Sequence, residues 1–195
     1  MKSPSVLLLA AFLAGATPAA AAAQTAFDMA PDGKTLVHRQ SGTRFPQQLA
    51  GFRRTSEHVF DSQGEYIGVG YQLPLRDGQR IRIRIAAVHI EKMTPQEHFV
   101  IAKPLGLKGL TDIKIVSEGV YDRPGKGADG YRGIYDARDQ GRPVTVGLWA
   151  FNRGYWSLRG WAEYPASDNG RARARIDRFV DAFVALDQPY RTPTE

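Results

Sequence analysis

Arg80-Ile81-Arg82-Ile83-Arg84-Ile85-Ala86-Ala87-Val88-His89 (RIRIRIAAVH) is the stretch on which the fold turns. Ile81, Ile83, Ile85 and Ala87 fall on one side of an extended chain, and Arg80, Arg82, Arg84 and Ala86 on the other. That is the two-residue period of a β-strand. One side is apolar and the other carries three cations, which predicts a strand in an antiparallel sheet with one covered face and one wet face. Immediately upstream, Arg76-Asp77-Gly78-Gln79 is a hairpin turn signal. Before it, Tyr66 to Leu73 alternates in the same way: Ile67, Val69, Tyr71 and Leu73 share one face, Tyr66, Gly68, Gly70 and Gln72 the other. The two glycines mark either a close approach by another element or a bend.

Downstream, Thr94, Pro95 and Glu97 spell a capping box with proline at the first helical position. They predict a short helix that ends near Lys103, because Pro104 disfavours helical geometry in the residue before it. Leu110 to Val116 reads as a strand, and Arg123 to Gly133 (RPGKGADGYRG) as a long glycine-rich loop. Three more strands follow, Tyr131 to Asp136, Pro143 to Phe151 and Tyr155 to Tyr164, joined as a meander by turns at Asp139-Gln140-Gly141 and Asn152-Arg153-Gly154. The last element is a helix from Asn169 to Leu186, with Asp168 as its N-cap and one apolar stripe of Ile176, Phe179, Val180, Phe183 and Val184. Arg171, Arg173 and Arg175 stand at its N-terminal end, where the helix dipole disfavours cations; Asp177, four residues after Arg173, offsets part of that. The fold class is therefore α+β: a mostly antiparallel twisted sheet packed against a long C-terminal amphipathic helix and one shorter helix.

The chain has 195 residues, 26 Lys or Arg against 20 Asp or Glu, and no cysteine. The missing cysteines exclude disulfides, thiolate catalysis, sulfur-ligated zinc and iron–sulfur centres. Residues 1–23 read as a secretory signal peptide: Lys2, an apolar run from Val6 to Ala14, and Ala21-Ala22-Ala23 as the small-x-small site. Only Lys2 among its charged residues lies in that leader, so the exported chain stays basic. The expected organisation is the leader, a flexible lead-in over 24–35, one α+β domain over 36–188 and a tail over 189–195. The expected location is a bacterial periplasm or the medium beyond it, without stable membrane insertion after cleavage.

Catalytic constellations are hard to find. His38, His58, His89 and His98 lack metal-ligand spacing, although His89 and Glu91 would share a strand face. No serine sits in a nucleophile elbow, and Ser157 reads as an ordinary polar-face serine. Asp122, Asp129, Asp136 and Asp139 cluster around the 123–133 segment and could supply paired acids, yet each also has a simple role in a turn. The segment around Lys126 lacks the order of a phosphate-binding P-loop, and no calcium loop or other metal site is expected. No cofactor is expected either. Nucleic acid is not an expected partner, since the chain carries no recognition motif for it.

The remaining candidate is a ligand-binding set: Arg80, Arg82 and Arg84 in a row roughly 13 Å long, with Arg159 and Trp161 on the aromatic strand. Such a row suits carboxylates, phosphates or sugar acids, and the aromatics could add a stacking surface.

The order of elements resembles the PsbP/Mog1-like α+β fold and the small exported bacterial proteins assigned to it. The residues that carry the resemblance are Phe45-Pro46 with Phe52, the Ile81–Ile85 strand followed by a helix from Pro95, and Trp161-Ala162-Glu163-Tyr164-Pro165 leading into the helix from Asn169. The resemblance implies a small binding or accessory protein without a catalytic constellation, and transfers no site residue. The 123–133 segment and the arginine row have no counterpart in it. The expected function is a non-enzymatic accessory or binding protein of the cell envelope, partnered by an envelope protein or an anionic small molecule or glycan. Two alternatives stand beside it: an envelope hydrolase using the acids of 122–139, and a carrier of a small anionic ligand.

Overall fold

The computed structural model describes residues 26–90, 93–123 and 127–186. The expected leader and C-terminal tail, as well as Glu91 and Lys126, lie outside the described residues. In chain order the strands are β1 (Phe27–Met29), β2 (Thr35–His38), β3 (Arg44–Pro46), β4 (Gln48–Leu49), β5 (Phe52–Val59), β6 (Tyr66–Pro74) and β7 (Arg80–His89). After helix α1 (Pro95–Gly106) come β8 (Thr111–Arg123), β9 (Gly127–Asp139), β10 (Arg142–Arg153) and β11 (Trp156–Pro165), then helix α2 (Asn169–Ala185). β1 to β3 form a small sheet. The other eight strands form one sheet in the order β4-β5-β6-β7-β11-β10-β9-β8, antiparallel throughout.

The alternation of RIRIRIAAVH is obeyed: Ile81, Ile83, Ile85 and Ala87 are buried, while Arg80, Arg82 and Arg84 are exposed. The buried face is covered by α2. Its stripe of Ile176, Phe179, Val180, Phe183 and Val184 is buried, and Phe179 meets Phe52 and Tyr71 with ring centres 5.1 and 5.0 Å apart. Asp168 stands at the N-cap but makes no side-chain cap bond. Missing a cap and carrying three N-terminal arginines costs the helix roughly 1–2 kcal/mol. Burying five large apolar side chains contributes on the order of 10 kcal/mol, so packing, not capping, holds α2.

The other face is half covered. α1 lies across β9, β10 and β11, burying Phe99 against Tyr135, Val146, Leu148 and Ala150. The capping box at its N-terminus forms as expected, with Thr94 and Glu97 bonding each other's backbone N–H. The helix does not stop at Lys103, however; it runs through Pro104 to Gly106. Proline deprives the Val100 carbonyl of a donor, but Val100 is exposed, so that carbonyl is open to solvation rather than buried without a partner. The turn is closed by the Leu107 N–H on the Lys103 carbonyl.

Two further expectations are corrected. The long loop over 123–133 is, where described, the two arms of the β8–β9 hairpin, with Tyr121 opposite Gly130 and Glu118 opposite Gly133. Its glycines make room for rings: a Cβ on Gly130 would lie 2.6 Å from the Phe151 ring, and one on Gly133 2.6 Å from that of Phe99. The lead-in is not loose over its described part. Phe27–Met29 pairs with β2, and Ala26, Phe27 and Ala30 are buried. The glycines of β6 serve close approach rather than a bend, with Gly68 under the Phe60 ring and Gly70 under Ser56.

Candidate functional site

β7 and β11 are neighbours, and their register decides what the arginine row can do. Arg82 stands opposite Glu163, Arg84 opposite Trp161, and Ala86 opposite Arg159. The row is therefore divided. Arg82 is ion-paired with Glu163, whose side chain is only 11% exposed, and lies 3.9 Å from Asp139. Arg80 reaches Gln72 at 3.5 Å, and together with Arg82 it borders an open depression shared with Arg142 and Glu163. Arg84 turns the other way. Its guanidinium lies 5.3 Å above the centre of the Trp161 indole.

Arg84, Arg159 and Trp161 meet in a cleft of about 220 Å³ where the sheet face passes under the C-terminal half of α1. Arg159 places its guanidinium 4.9 Å from the centre of the Tyr66 ring, and its Nε is enclosed with no hydrogen-bond acceptor among the described residues. The helix side contributes Ala102, Lys103, Leu105 and Lys108. Lys103 is committed to Glu118 and lies over the Tyr135 ring. Among the described residues no carboxylate lines the cleft. Trp161, one of the aromatics expected as a stacking surface, carries the Arg84 guanidinium, and Tyr66 of β6 carries that of Arg159. The indole Nε1–H of Trp161 donates to the Gly106 carbonyl over 3.0 Å. That bond fixes the ring and removes one of the helix-end carbonyls that would repel an anion.

Ser157 and His98, 59 positions apart in sequence, are hydrogen-bonded to each other through Oγ and Nδ1. A hydroxyl on an imidazole is the first half of a nucleophilic dyad. Here Ser157 is 1% and His98 4% exposed, and neither lines the cleft. The pair joins α1 to β11, as Asn152 joins the Met93 carbonyl to β10. Burial first, and the charge of Arg159 second, pull the His98 imidazole down to about 4, so it is neutral near pH 7. His38 is likewise buried, between Ser41 Oγ at 2.7 Å and the Gly64 carbonyl at 2.8 Å. His89 is 3.6 Å from Glu65.

The side chain of Asp129 lies outside the described residues, and of the other acids Asp122 and Asp136 do not converge. Asp122 stands opposite Ala128 and Asp136 opposite Lys114, about eight residues or roughly 27 Å apart along β9. A catalytic carboxylate pair needs less than about 10 Å. Asp136 accepts from Thr145 at 2.9 Å and Asp139 pairs with Arg142 at 3.2 Å. Among the described residues no group of three or more His, Asp or Glu side chains is gathered to hold a metal ion, and no helix is long and apolar enough to cross a membrane.

No family model and no curated protein matches the chain. Among solved structures, it is similar to a Pseudomonas aeruginosa protein of unknown function, with 15% identity, 65% of this chain and 84% of that one covered, and a TM-score of 0.47. It is also similar to the Saccharomyces cerevisiae Ran-binding protein Mog1p, with 14% identity, 80% and 92% covered, and a TM-score of 0.46. For the cyanobacterial PsbP of Synechocystis the values are 9% identity, 69% and 92% covered, and 0.39. The likeness is one of coarse α+β architecture, and it assigns neither an activity nor a partner.

Proposed function

We propose that this chain is a non-enzymatic binding protein of the bacterial cell envelope, exported by its leader, that takes a small anionic ligand in the cleft between α1 and the sheet. The observation that carries this reading is the contrast between neighbouring arginines. Arg82 is neutralised by Glu163, whereas Arg84 and Arg159 line a cleft in which, among the described residues, no carboxylate stands. Uncompensated guanidinium groups beside apolar walls are worth more to an anion than the same groups in open water. The leader and the basic charge of the exported chain support the location and the sign of the ligand.

Native mass spectrometry of the protein purified gently from its host periplasm tests the reading. A defined extra mass that is lost on Arg84→Ala, and retained on Arg82→Ala, is the expected result. A bare protein that also fails to bind any anion of a screened panel overturns it.

A further inference from the structure

We infer that the anionic group held in the cleft is a doubly charged phosphate monoester, seated between the guanidinium groups of Arg84 and Arg159. This rests on the reading of the cleft as an anion site and narrows it to one chemistry. Arg84 lies opposite Trp161, and Arg159 opposite Ala86; the two arginines are thus diagonal neighbours on one sheet face, with backbones about 7–8 Å apart. Each guanidinium rests on a ring, over Trp161 and over Tyr66. A guanidinium engaged through its face keeps the N–H groups along its edge for oxygen acceptors. The two guanidinium charges so placed are balanced by a dianion and only half balanced by a carboxylate, and Lys108 adds a further cation to the same lining. A phosphate monoester carries nearly two charges at neutral pH and three acceptor oxygens, enough to engage both forks at once.

The rest of the lining sets what the ester carries. Ala86, Ala102, Leu105 and Leu148 make apolar walls, and Leu105 is 63% exposed at the mouth. A volume of about 220 Å³ is below the usual range for drug-sized ligands; it suits a phosphate with one ring-sized or short apolar group, the remainder of the ligand lying outside. The same chemistry is offered by a soluble phosphate ester and by the headgroup of a phosphomonoester lipid.

Calorimetric titration of the exported protein with phenyl phosphate and with benzoate separates the possibilities. Co-sedimentation with phosphatidylcholine vesicles, with and without phosphatidic acid, is run in parallel. The expected result is phenyl phosphate binding at least tenfold tighter than benzoate at pH 8. Arg84→Ala, at an exposed position, and Arg159→Lys, which keeps charge but loses the fork, should each weaken it at least tenfold; Arg82→Ala should change it less than twofold. Sedimentation only with phosphatidic acid vesicles, reversed by phenyl phosphate, supports the inference with a lipid source. Phenyl phosphate binding without sedimentation supports it with a soluble one. Benzoate binding as tightly as phenyl phosphate overturns the phosphate assignment and leaves the anion site standing. Binding of neither ligand, with no vesicle binding, overturns both.

Discussion

The indole of Trp161, in the middle of β11, donates its Nε1–H to the carbonyl of Gly106 at the end of α1. This bond holds the wall of the cleft against its floor and keeps the ring under Arg84. Trp161→Phe keeps an aromatic platform and deletes the bond, which is worth about 1 kcal/mol. For a chain of this size that lowers the melting temperature by about 2–4 °C. An unchanged melting curve would show that the bond does not tie α1 to the sheet.

Arg82 and Arg84 are two residues apart and carry opposite expectations. Arg82→Ala leaves the nearly buried Glu163 without its partner and costs about 1–2 kcal/mol, reduced by the partial exposure of the arginine. The double variant Arg82→Met/Glu163→Leu should recover most of that in urea denaturation. Arg84→Ala should stay within about 0.5 kcal/mol of the parent, being a surface change. Equal stability losses for the two single variants would remove the distinction between a structural and a binding arginine.

His98 makes the fold sensitive to acid. Burial and Arg159 lower its imidazole from the ordinary 6.5 to about 4, so the unfolded chain takes up a proton first. Its contribution to stability is complete above pH 6.5, is lost as pH falls from 6.5 to about 4, and changes no further below that. The loss is on the order of 2–3 kcal/mol. His98→Asn, which keeps a polar group towards Ser157, should flatten denaturation midpoints across that window while the contribution of His38, lowered by its own burial, persists. A slope equal to that of the parent would exclude His98 as its source.

Gly133 and Gly119 lie on the two arms of one hairpin and should respond differently to a methyl group. At Gly133 a Cβ would fall 2.6 Å from the Phe99 ring and closer still to the Tyr135 hydroxyl, whereas at Gly119 nothing lies within 4 Å. Gly133→Ala should cost about 1–3 kcal/mol by overpacking under α1. Gly119→Ala should be neutral or slightly stabilising, through lower entropy of the unfolded chain. Chemical denaturation of both variants decides the matter, and a neutral Gly133→Ala would mean that α1 is not seated on that glycine.

Much of the architecture was legible because its signals are local. The two-residue period of Arg80 to His89, the capping box from Thr94 to Glu97 and the apolar stripe of α2 each lie within a dozen or so positions, and each forms as read. The 123–133 segment misled for a physical reason. Glycine lowers the intrinsic preference for a strand, while the benefit of Gly130 and Gly133 comes from the rings of Phe151 and Phe99, which belong to other elements. The helix continued past Lys103 because the carbonyl orphaned by Pro104 lies at an exposed position, an exposure that a spacing rule does not contain.

For the cleft, residue types were readable and their grouping was not. By itself the sequence determined that Arg80, Arg82 and Arg84 share the wet face of a strand, and that Arg159 and Trp161 share a face of another, because alternation is a property of an extended backbone. Only the tertiary structure decided that β11 lies beside β7, in the register that sets Glu163 against Arg82 and Trp161 against Arg84. It also decided that α1 and the turn after it bring Lys103, Leu105 and Lys108 over that face, and that His98 meets Ser157 beneath it. Those pairings join residues far apart in the chain. They are set by burying both faces of one sheet under two helices, and no local period records which strand will find which neighbour.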